Sequence, residues 1–297
     1  MSYLSSVSVR RHCFILGLMP RSGTNWVYDM VKRSELYATI GPIWENNLLS
    51  SWSEFSEAAD NWVSTWRPHW KENENQIDRL KLRSELEDSL IQGVLSFLRT
   101  QSSNSALPIV TKCPISRNAI VSDEMLDHIQ VVLIVRNPMA TVQSGMTAFG
   151  WSFFGAVEAY IDSSKAVSGF VGRRGTLVIK YEDLVSQWEV ESKRVLDFLE
   201  IPVEGRQLAR LPVRGQTIGK GKVASWSSKK SSNMAPSSKI NLNLLQRLVL
   251  NAGVSGFADA WGYQTQSPKL FVALLQVFFV FRKRIKKMKY AFTSKDG

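Results

Sequence analysis

Apolar positions along the chain follow two rhythms. Short continuous apolar runs predict buried strands at 13–18, 107–112, 130–135 and in the first part of "TLVIKYEDL" (176–184). "QVVLIV" (130–135) is the strongest central-strand candidate, with almost every position β-branched or leucine. Elsewhere the spacing lengthens to that of a helix, over 24–33, 76–100, 137–147, 152–172, 185–199, 239–252 and 268–290. Ile77, Leu80, Leu82, Leu86, Leu90, Ile91, Val94, Leu95 and Leu98 mark one face of the second of these. Asn137 and Pro138 supply an N-cap and a first-turn proline for the third. Two stretches carry neither rhythm. Residues 34–75 read as polar and loop-rich, although Trp44, Trp52, Trp62, Trp66 and Trp70 are half of the chain's ten tryptophans. Residues 203–238, rich in Gly, Ser, Lys and Arg, read as a long loop. No internal repeat is visible.

Strands alternating with helices predict an α/β fold, a central parallel sheet with helices on both faces. Right-handed crossovers then align the strand C-termini along one edge, where such sheets bind ligands. The 18–26 and 136–145 segments both fall there. One domain is expected over 1–266, with 34–75 as an insertion, followed by a basic amphipathic helix in 267–297.

Charge narrows the partners. The 297 residues carry a net charge of +11. Arg282, Lys283, Arg284, Lys286, Lys287 and Lys289 account for six of it, so the rest is mildly basic. That suits anionic ligands without requiring nucleic acid. Cys13 and Cys113 make no disulfide framework and no zinc-ligand spacing, which makes a reducing cytoplasmic setting the default. Cys13, in an apolar run, is expected to be a buried small hydrophobe. No signal peptide and no apolar run of membrane-spanning length is read from the sequence.

"PRSGTNW" (20–26) sits between a predicted strand and a predicted helix. Unpaired N–H groups at a helix start receive anions. Gly23 permits close approach, Ser22 and Thr24 offer hydroxyls, and Arg21 offers a guanidinium fork for phosphate oxygens. The nucleotide-triphosphatase pattern G-x-x-x-x-G-K-[ST] fails here, because Thr24 stands where its lysine belongs. The turn is therefore built for phosphate, but not for Mg·ATP in the usual way.

The turn resembles the 5′-phosphosulfate loop of sulfotransferases, which use 3′-phosphoadenosine-5′-phosphosulfate (PAPS) and have a P-loop-like fold. The resemblance implies donor contacts from Arg21, Ser22, Gly23, Thr24, Asn25 and Trp26. "LIVRNPMATVQSG" (133–145) resembles the family's 3′-phosphate segment, with Arg136 and, eight positions on, Ser144. A strand-end arginine and a helix hydroxyl can grip a phosphate dianion through charge-assisted bonds worth roughly 1.5–3 kcal/mol each. "KYEDL" (180–184) resembles the family's strand-end segment and implies Tyr181 near the adenine. "GKGKVASW" (219–226) resembles the late basic loop over the 3′-phosphate. There Gly219 replaces the family's arginine, leaving Lys220, Gly221 and Lys222.

The implied chemistry is in-line sulfuryl transfer to an acceptor hydroxyl, with no metal. Arg21 and the loop amides would stabilise charge on the leaving phosphate, and Lys112 in "TKCP" resembles a lysine that reaches the same oxygen. The histidine base of the cytosolic branch is missing, so the resemblance is nearer the bacterial, carbohydrate or tyrosylprotein types. Glu45 is the base candidate by position, with His69 as fallback. A carbohydrate or lipid-linked acceptor is expected. The tryptophans of 44–70 either cap the core or form an acceptor platform. Residues 270–290 either pack on the body or lie at an anionic membrane surface as a peripheral contact. The rival readings are a P-loop nucleotide kinase or ATPase, and a non-catalytic nucleotide-binding, membrane-associated protein.

Overall fold

A computed structural model describes residues 11–41, 45, 48–66, 78–202 and 241–263. Five strands form one sheet: β1 (His12–Gly17), β2 (Ala38–Thr39), β3 (Ile109–Cys113), β4 (Ile129–Val135) and β5 (Thr176–Lys180). Their order is β2-β3-β1-β4-β5, and every pairing is parallel. All seven residues of β4 are buried, as its nearly continuous apolar run predicts.

Alternating side chains divide the interior into two cores. Phe14, Leu16, Val131, Leu133 and Val135 face one side, and Cys13, Ile15, Val132 and Ile134 face the other. Burial pushes the Cys13 thiol pKa upward, in keeping with a packing role. Helix α1 (Thr24–Arg33) lays Val27, Met30 and Val31 on the second core. The first core is covered by α2 (Leu48–Thr65), α3 (Arg79–Thr100), α5 (Pro138–Phe149) and α6 (Phe153–Ser168). Between them, short α4 (Asp123–His128) leads into β4. After β5 come α7 (Tyr181–Ser186), α8 (Trp188–Phe198) and α9 (Leu244–Ala258), with a 3-10 turn at Asp259–Trp261.

Several expectations need correction. The 34–75 stretch is not loop throughout, because 18 of its residues form α2. Leu49, Trp52, Ala59 and Val63 make its buried face, and Trp52 is fully buried in the first core. Trp52 therefore caps the core, whereas Trp62 and Trp66 are exposed and pack edge to face at 5.1 Å. Trp44 and Trp70 lie outside the described residues. Leu80 belongs to no apolar face, being 81% exposed; Ile91, Leu95 and Leu98 carry the burial of α3. The expected 185–199 helix is split at Gln187 into α7 and α8. The expected 239–252 helix starts later, where Asn243 and Gln246 form a reciprocal capping box, and runs on to bury Val254 and Ala258. The 203–238 loop and the 268–290 helix lie outside the described residues.

His12, at the start of β1, accepts a hydrogen bond at Nδ1 from the Ile109 N–H at 3.0 Å. Burial, then the charges of Arg99 and His128, lower its pKa from 6.5 to about 4. A folded value below the unfolded one favours the neutral ring. Its stabilising contribution is complete above about pH 6.5 and is lost as pH falls toward 4. Melting temperature is expected to drop across that window. His12→Asn, which keeps an acceptor but does not titrate, should flatten the drop.

Candidate functional site

The sheet edge at the C-terminal ends of β1, β3 and β4 gathers the candidate residues. Between β1 and α1 the backbone turns through left-handed conformations at Arg21 (φ 77°) and Gly23 (φ 99°). For arginine this is an uncommon conformation, of a kind that clusters at ligand clamps. Left-handed residues of this kind turn neighbouring N–H groups toward one side, as in concave anion sites. Gly23 is also the N-cap of α1, so the first-turn amides of Thr24 and Asn25 open toward it. Thr24 is buried, and the Asn25 side-chain oxygen is buried without a hydrogen-bond partner.

Ser22 departs from expectation. It is fully buried, and its hydroxyl donates to the Met19 carbonyl at 2.6 Å. Its N–H bonds the same carbonyl at 3.2 Å. The side chain closes the turn from within rather than offering a hydroxyl to a ligand. Trp26 also faces protein, meeting Trp188 edge to face at 5.2 Å beside the second core.

Arg136, the residue after β4, donates from Nη1 to the Arg21 carbonyl at 2.7 Å. Its guanidinium lies 4.3 Å from the centre of the Tyr181 ring. The sequence presents Arg21 and Arg136 as separate ends of a site, but the fold brings them into contact. Burial first, then the Arg136 charge, lowers the Arg21 pKa. Arg136 makes no salt bridge among the described residues, and its Nε is buried without a partner. A guanidinium with an orphaned donor, seated on the turn that carries a second arginine, fits an anionic group such as a nucleotide phosphate. Ser144 lies half-buried on α5, whose cap is formed by the Asn137 side chain as predicted.

Lys112 is nearly buried at the end of β3, in register with Ile15 of β1. Its Nζ lies 3.0 Å from Oε1 of Glu45, and the two residues also form a parallel bridge. The Glu45 side chain is 52% exposed. One member of the pair is therefore dry and the other wet. His69, Lys220, Gly221 and Lys222 lie outside the described residues.

Two residues of this edge escape the sequence reading. Glu182 accepts from the Asn137 N–H at 3.0 Å and from the Tyr263 hydroxyl at 2.6 Å. The available signal was its position beside Tyr181, just past a strand end. Nothing local marks Tyr263, 81 residues farther along.

Comparisons with known proteins bear on the family and the fold. A family model described as "Sulfotransferase family" matches residues 13–205. Protein-tyrosine sulfotransferase A of Caenorhabditis elegans is 24% identical over 170 residues, which cover 51% of this chain. The match spans 44% of that relative's length. The sulfotransferase domain of the curacin biosynthetic pathway superposes with a TM-score of 0.52 at 17% identity, over 86% of this chain and 99% of that domain. It shares the fold. The sulfotransferase domain of the Synechococcus PCC 7002 olefin synthase gives a TM-score of 0.45, also at 17% identity, over 86% and 95%.

Proposed function

Because the chain belongs to the sulfotransferase family, we propose that it transfers a sulfuryl group from PAPS to an acceptor hydroxyl. The observation that carries this reading is the meeting of Arg136, the Arg21 turn and the Tyr181 ring at one sheet edge. The donor, when bound, supplies the sulfuryl group and a phosphate leaving group. The amides at Gly23, Thr24 and Asn25 and the Arg21 guanidinium hold its 5′ side and stabilise developing negative charge. Arg136 and Ser144 would hold the 3′-phosphate, and Tyr181 would be the residue nearest the adenine. Trp26 lines the site only through the packing of α1. Lys112 donates to the leaving oxygen, and Glu45 takes the proton from the acceptor hydroxyl as general base.

The acceptor is a carbohydrate or lipid-linked hydroxyl in the first reading, which the basic 270–290 stretch favours. The tyrosyl-protein relative favours a second reading, a tyrosine hydroxyl. Among the described residues no helix is long and apolar enough to cross a membrane.

Calorimetry with 3′,5′-adenosine bisphosphate against ADP tests the donor reading. Binding is expected to need the 3′-phosphate, to ignore Mg²⁺, and to weaken about 10–100-fold in Arg136→Ala, the worth of one charge-assisted bond. Preference for ADP with magnesium would instead support the kinase or ATPase reading. A radiolabelled-PAPS screen over saccharides, lipid-linked sugars and tyrosyl peptides separates the acceptors.

A further inference from the structure

Arg136 is held at more points than binding an anion requires, and the extra contacts converge on one peptide unit. The carbonyl of Arg136 and the N–H of Asn137 are the two edges of the 136–137 peptide. Tyr160 of α6 donates its hydroxyl to that carbonyl at 3.1 Å. Glu182 of α7 accepts from that N–H at 3.0 Å. The peptide plane is thus gripped on both edges, at the elbow where β4 becomes α5. Rotating this plane would swing the Arg136 side chain away from the Arg21 carbonyl and would tilt the start of α5, which carries Ser144.

The second Glu182 oxygen accepts from Tyr263, just beyond α9, at 2.6 Å. A carboxylate loses an oxygen's freedom to turn when both oxygens are engaged, so Tyr263 fixes the direction in which Glu182 faces Asn137. Tyr181 and Glu182 are consecutive. One dipeptide therefore supports Arg136 at its guanidinium, through the ring, and at its main chain, through the carboxylate. The pKa values of Tyr160 and Tyr263 are both raised, chiefly by burial, so both phenols keep the proton they donate.

We propose that Glu182 and Tyr263 are positioning residues that set Arg136 and Ser144 for the donor's 3′-phosphate. This rests on the donor reading above. Neither residue touches the nucleotide; they act through the 136–137 peptide. The chain after the 203–240 segment thereby helps define the selectivity of the β4–α5 elbow.

The test compares the affinity for 3′,5′-adenosine bisphosphate with that for adenosine 5′-monophosphate, because their ratio isolates the 3′-phosphate. Glu182→Ala is expected to cut the ratio about tenfold or more, because the bisphosphate loses more affinity than the monophosphate. Tyr263→Phe should cut it by a smaller factor. Glu182→Gln should restore it, since the amide can accept from Asn137 and donate to the Tyr263 oxygen. A generally weakened fold would lower both affinities together. Equal losses for both ligands in Glu182→Ala and Tyr263→Phe, or an unchanged ratio, overturn the proposal while the donor reading stands. A wild-type chain that does not favour the bisphosphate overturns the donor reading, and the proposal falls with it.

Discussion

Lys112→Met is expected to lower kcat about 10²–10³-fold, the usual cost of removing one preorganised donor to a developing charge. Nucleotide affinity should change little, because the other cations of the site remain. Fold stability should also survive. Lys112 is nearly buried, and replacing a buried ion with an apolar side chain of similar length is often neutral or stabilising. Its partner Glu45 is half exposed, so Glu45 can return to water at small cost. The proposed chemical role of the pair, an ammonium 3.0 Å from a carboxylate at this sheet edge, therefore predicts a loss of rate without a loss of stability. Glu45→Gln separates the two members. If Glu45 is the base, kcat falls about 10²–10⁴-fold. Single-turnover conversion of radiolabelled PAPS, with melting temperature as control, measures both. An unchanged kcat in Lys112→Met removes Lys112 from the mechanism.

Gly23→Ala should weaken 3′,5′-adenosine bisphosphate binding about 10²-fold, the equivalent of losing two charge-assisted bonds near the low end of their range. Two separate effects reach this position. A side chain at φ 99° costs roughly 1–2 kcal/mol in backbone strain. The new Cβ would also sit 2.6 Å from Cδ2 of Tyr181, too close to tolerate. Either the turn opens and disperses its N–H groups, or the ring moves from beside the Arg136 guanidinium. Both damage the site while leaving the two cores intact. Gly172→Ala is the matched control: its φ is 81°, yet a Cβ there meets nothing within 4 Å. Equal stability losses in the two variants, with binding lost only at Gly23, would assign the effect to the ring and turn. Normal binding by Gly23→Ala would remove the turn from the donor site.

The sequence made the sheet and the turn before α1 legible because both are local. The β4 run is apolar at nearly every position, and the start and end of α1 match the expected 24–33. The Asn137–Pro138 start of α5 was equally plain. Helix α2 was not, because Ser50, Ser51, Ser53 and Ser56 dilute its apolar face and serine favours caps and turns over helix interiors. Its contacts come from α3: Ser56 donates to Glu87, and Arg83 donates to Ser56. Hydroxyl direction was also invisible. Ser22 has the residue type of a phosphate ligand, but the turn's own closure uses its hydroxyl. The contact between Arg136 and Arg21 spans 115 positions. It follows from the β1–β4 register, which pairs Gly17 with Ile134. No motif spacing encodes that.

The strand order has a consequence for how such a molecule can change. β1 and β4, which end at the phosphate turn and the Arg136 elbow, each have neighbours on both sides. Two-residue β2 lies at the margin, and the chain reaches Glu45 soon after it. Interior strands open only with the whole domain, whereas margins open alone at low cost. On the proposed reading, donor recognition is thereby tied to the slowest-opening part of the fold. Opening at that margin would then expose the Glu45 side of the proposed site while the grip on the nucleotide holds.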